Sequence, residues 1–285
     1  RGVHTAKPLP YDPKHGLGAF LPPEALRVVA IEYQQGLLDR LNDEVRGTEM
    51  ANMSVMQTII SAATDRTKVL AFNYASLALN NHFFLENLKP PTPPSPSHQH
   101  LISPTLAEQI RLQHGSLAQL KSSVSAAATG LFTSGFVWLV TDAAGNIAVV
   151  PTFGPGSVLV RSQMYMAHPD PASSPDSSSS PHLYLPHPTA FASLTSDTPP
   201  SSSLPFPSSS PSPLSSSPSL ASRPRTLPLG AALTLAAAGD TLYPLFCLSV
   251  HEHAWLSAGC GVWGRERWVQ AFWDVLDWER VSAAY

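Results

Sequence analysis

The spacing of apolar and polar positions divides the chain into helical stretches, short extended runs and a tryptophan-rich tail. Pro22 and Pro23 precede Glu24, and Leu26, Val29, Ala30, Tyr33, Leu37 and Leu41 then fall on one helical face, so a long first helix begins at the proline pair. A second helical pattern runs from about Val55 through Phe72 to Leu88, is broken near Thr64 and Asp65, and ends at Lys89 and Pro90. Together they predict an antiparallel helical hairpin. Thr105 and Glu108 have the spacing of a capping box and predict a helix that stops near Gly115; Ser116 opens another, closed by Gly130. Phe136 to Thr141 and Ile147 to Thr152, separated by Asp142, Ala143, Ala144 and Gly145, predict a β-hairpin. Leu242 to Val250 suits a buried strand, and Trp268, Phe272 and Val275, widened by Trp273 and Leu276, form the stripe of a C-terminal helix.

The expected fold class is α+β: an N-terminal long helical hairpin, then a C-terminal lobe of helices around a small antiparallel sheet. Residues 1–90 would hold an extended arm and the hairpin, 91–104 a Pro-rich linker, and 105–285 the C-terminal lobe, interrupted by a Ser/Pro-rich insertion at about 167–226. That insertion has few large apolar residues, so burial cannot offset its ordering entropy and little fixed structure is expected there.

Composition narrows the function classes. Of 285 residues 43% are hydrophobic, enough for one sizeable core, while only 13% are charged and 29 are proline. A net charge of -3 gives no general attraction to phosphate backbones or acidic membranes. Cys247 and Cys260 can form neither a disulfide framework nor a zinc site. No run of about eighteen apolar residues exists, which argues against a membrane-spanning helix. The basic opening RGVHTAK reads as the stub of an organellar transit peptide or as the place where the sequence was started. FGPGS at Phe153 to Ser157 is a turn rather than a phosphate loop, and His98, His100, His182 and His187 lie in Pro/Ser-rich stretches without paired acids.

Four segments, in order, resemble the iron/manganese superoxide dismutase family. They are PLPYD near the start, FNYASLALNNHFFLENL from Phe72 to Leu88, IRLQHGSLAQLKSSVSAAATGLFTSGFVWLV from Ile110 to Val140, and LYPLFCLSVHEHAWL with WVQAFWDVLDW. The Glu-His pair between an apolar strand and an aromatic helix is the most specific of them. The resemblance implies a redox metal held by three histidines and one aspartate. By position these fall on Val29, Asn81, Ser249 and His253, of which only His253 keeps the family's donor. His82, one residue from Asn81, should point elsewhere, because adjacent helical positions differ by about 100°. The glutamine that bonds metal-bound solvent falls on Leu77 or Ala148, the gateway tyrosine on Leu37, and the tryptophan before the Glu-His pair on His251. An apolar filling of the former pocket is therefore expected.

The resemblance also implies a two-fold interface through Glu252 and His253, with Tyr33 in the same contact; a buried Glu252 would need a partner base there. The alternative is a satisfied core histidine beside a solvated acid. The member type that the degenerate ligands resemble is the dismutase-like protein of the fungal mitochondrial ribosomal small subunit. The implied role is non-catalytic and structural, at the mitochondrial ribosome in the matrix, with no cofactor, no membrane and no small-molecule substrate. Implied partners are a paralogous dismutase-like subunit, other mitochondrial ribosomal proteins, and limited peripheral ribosomal RNA. Arg265, Arg267, Arg280, Arg223 and Arg225 are candidate phosphate contacts. An active iron/manganese dismutase and a non-ribosomal protein-binding module remain as alternatives.

Overall fold

The computed structural model describes residues 4–92, 97–159 and 241–285. The Ser/Pro-rich insertion, part of the 91–104 linker, Arg223, Arg225, His182 and His187 lie outside the described residues. The first long helix starts at Pro23 as expected and runs as α1 (Pro23–Leu26), a π-helical stretch (Arg27–Tyr33) and α2 (Gln34–Val45). The periodicity did not announce the π-helical turns. Ser54 opens α3 (Val55–Ala63) through a full capping box with Gln57, its Oγ accepting from the Gln57 amide at 3.2 Å. The break at Thr64 and Asp65 is a single tight turn, where the Asp65 carboxylate accepts from the Thr67 amide, before α4 (Val69–Glu86).

Ser103, not Thr105, caps α5 (Pro104–His114): its Oγ accepts from the Leu106 amide at 3.3 Å, and Pro104 fills the first helical position, where a missing N–H costs nothing. Glu108, expected in the capping box, pairs instead with Arg111. Gly115, at φ 81°, ends α5, and Ser116 caps α6 (Leu117–Gly130). Next come β1 (Gly135–Thr141), β2 (Ile147–Phe153) and β3 (Tyr243–Ser249), followed by α7 (Glu252–Ser257), α8 (Arg265–Val275) and α9 (Trp278–Ala284).

The three strands form one antiparallel sheet in the order β2-β1-β3, with β1 buried along its whole length. Pro151 is tolerated because it lies on an edge strand. Helices cover the sheet, giving an α+β fold of the expected class.

The principal core is largely aliphatic and has an aromatic cluster within it. Phe20 from the N-terminal arm stacks on Trp268 of α8 with ring centres 3.9 Å apart, and Phe84 and Phe272 pack around the pair. Phe246 continues this packing toward Trp273 and Trp278. The buried Trp268 indole is satisfied by donating to the Ser249 carbonyl at 2.8 Å. Backbone bonds join the end of the hairpin to the segment between α8 and α9: Lys89 N–H donates to Val275 O at 2.7 Å, Asp277 N–H donates to Asn87 O at 2.9 Å, and Leu88 bridges to Leu276. Tyr11 fixes the arm by donating to Leu85 O.

Trp268→Ala removes the stacked ring and strips the Ser249 carbonyl of its donor, so the free energy of unfolding should fall by about 3–5 kcal/mol in urea titration. A loss below about 1 kcal/mol would contradict this core.

Candidate functional site

The π-helical stretch brings the first helix against α4 around two buried amides. Asn81 Nδ2 donates to Val29 O at 3.1 Å and to Gln34 Oε1 at 2.9 Å, while Gln34 Nε2 donates to Ala78 O at 3.0 Å. A backbone carbonyl can only accept, so Asn81 must present its nitrogen to Val29. Both N–H groups of that amide are thereby used, which fixes its orientation, and its neutral carbonyl oxygen is a weak donor beside the imidazole and carboxylate that hold iron or manganese. The Val29 side chain is buried hydrocarbon. A side chain bonded to a helical carbonyl is a recognised cause of local helix distortion, and π-turns are where such distortions settle.

The expectation of an apolar filling needs correction here. Leu37 and Ala78 are buried beside half-buried Leu77, Tyr33 and Tyr74, but the Gln34–Asn81 pair runs through this packing as a satisfied polar link. Gln34 was missed in the sequence, although it sits at helical spacing from Ala30, Leu37 and Leu41, and a lone glutamine on an apolar face was the available signal. His82 faces Glu86 at 3.4 Å, and Glu86 also meets Arg280 at 3.1 Å.

The second group of residues lies where β3 turns into α7. Ser249 is buried, and its hydroxyl accepts from the His251 amide at 3.4 Å. The buried His251 ring packs against Phe136 at 4.8 Å and against His253 at 5.5 Å. His253 lies 4.0 Å from the Tyr33 ring, centre to centre. Nε2 of both histidines is buried without a partner among the described residues. Burial disfavours the charged imidazole and lowers both pKa values to about 4, His251 being lowered further by His253; burial also pushes the Tyr33 hydroxyl up to about 12.

Thus Val29 and Asn81 meet through a hydrogen bond, and Tyr33, His251 and His253 meet through ring packing. Among the described residues, no three His, Cys, Asp or Glu side chains are grouped so as to hold a metal ion.

Glu252 was assigned to a contact between two chains, and the single chain leaves it on the surface. Within the single chain it is exposed in the first turn of α7, with no partner among the described residues, so no burial cost arises there. A first-turn acid also interacts favourably with the helix dipole. Two of the candidate phosphate contacts have partners within the chain. Arg265 is spent inside the chain, donating to Leu131 O and Ala128 O with its guanidinium 4.7 Å from the Trp255 ring centre, and Arg280 is paired with Glu86. Arg267 is exposed. His98 is buried and bonded to Pro90 O at 3.1 Å.

The histidine pair predicts an acid sensitivity with a definite sign. The unfolded chain takes up protons below about pH 6.5, whereas the folded rings resist until about pH 4. Stability should therefore be full above pH 6.5 and fall by on the order of 3 kcal/mol for each ring, about 6 kcal/mol for the pair, as the pH drops toward 4. Unfolding titrations across that range should show a shallower slope for His251→Phe; an unchanged slope would mean that His251 is hydrated.

The fold agrees with comparison against known proteins. A model of the iron/manganese superoxide dismutase C-terminal domain matches residues 102–166. The chain is 29% identical over 165 residues to small ribosomal subunit protein mS43 of Schizosaccharomyces pombe, a match covering 57% of this chain and 62% of that protein. It is therefore matched to less than two thirds of that relative's length. It is also 32% identical over 151 residues to an iron superoxide dismutase of Nostoc sp., covering 51% of this chain and 70% of the enzyme. Against the iron superoxide dismutase of Leptolyngbya boryana it is 32% identical over 164 residues, covering 56% and 76% respectively. Likeness of that extent to two iron enzymes, carried on a helical hairpin and a three-stranded antiparallel sheet, makes this chain a member of the iron/manganese superoxide dismutase family.

Proposed function

We propose that this chain is a non-catalytic structural component of the mitochondrial small ribosomal subunit, in the matrix, using a metal-free dismutase fold as a protein docking surface. The observation that carries the reading is the Asn81 amide, whose two N–H groups are tied to Val29 O and Gln34 Oε1 at a position matching a family ligand. The other matched positions offer Val29 hydrocarbon, a Ser249 hydroxyl and the single imidazole of His253. A hydroxyl carries no charge at neutral pH, and one imidazole does not retain iron or manganese. Likeness to mS43 supplies the ribosomal half of the reading.

Pairing with a paralogous dismutase-like chain would run through Glu252, His253 and Tyr33. The exposed Glu252 carboxylate has no partner among the described residues and can accept hydrogen bonds from a second chain. The net charge of -3 favours a peripheral position, held mainly by other mitochondrial ribosomal proteins with limited RNA contact. Likeness to the iron enzymes favours a second reading, an active or residual iron/manganese dismutase.

Metal analysis and superoxide turnover by the purified chain separate the two. The structural reading expects sub-stoichiometric iron and manganese, no activity, and cosedimentation of the chain with mitochondrial small-subunit particles; one metal per chain with turnover would refute it. Glu252→Ala should weaken pairing with the dismutase-like partner about tenfold while leaving the melting temperature within about 2 °C, and equal affinity would remove Glu252 from the contact.

A further inference from the structure

We draw no further inference here: the strongest candidate, the exposed apolar surface of Trp263 in the loop before α8 and Phe132 in the loop before β1, carries nothing because nothing in the structure shows what covers it.

Discussion

The structure depends first on the obligation of two buried amides to satisfy one another. Asn81 and Gln34 are both removed from water, and an unpaired amide there would cost about 1–3 kcal/mol. Their hydrogen bonds to each other, to Val29 O and to Ala78 O fix the axial register of the first helix against α4. Tyr33 immediately precedes Gln34, so that register also determines where Tyr33 stands against His253. Two side chains thus connect the hairpin to the turn that carries the Glu-His pair.

Elsewhere the fold is held by aromatic packing and backbone bonds, not by the side chains at the ligand-matching positions. Phe20, Phe84, Trp268 and Phe272 bring together the arm, the second helix of the hairpin and the C-terminal helix, and Phe246 extends the contact into the sheet. The family's architecture can therefore be specified by hydrocarbon burial. The side chains of Asn81 and Ser249 take no part in that aromatic packing, so it constrains them little.

Much of this was legible because periodicity and turn chemistry agree. The hairpin break at Asp65, the stop at Gly115, the cap at Ser116 and all three strands follow from local rules that tertiary packing does not override. The failures share a different cause. Ser103 was overlooked for Thr105 because two hydroxyl residues flank Pro104, and the proline's fixed φ decides between them. The π-helical stretch, the Gln34–Asn81 link and the internal use of Arg265 each depend on a residue at least 47 positions away or on a backbone carbonyl, neither of which a local pattern contains.

The backbone bond from Lys89 to Val275 ties together residues separated by 275 − 89 = 186 positions, and the Phe20–Trp268 stack spans still more of the chain. During synthesis, at about 5–20 residues per second, the hairpin must wait roughly ten to forty seconds for the segment that completes it. Over that interval Phe20 and Phe84 lack their tryptophan and present bare hydrocarbon to the surroundings. The polypeptide thus has a vulnerable period set by its topology, in which holding chaperones would act on the hairpin and on β1, which waits for β3.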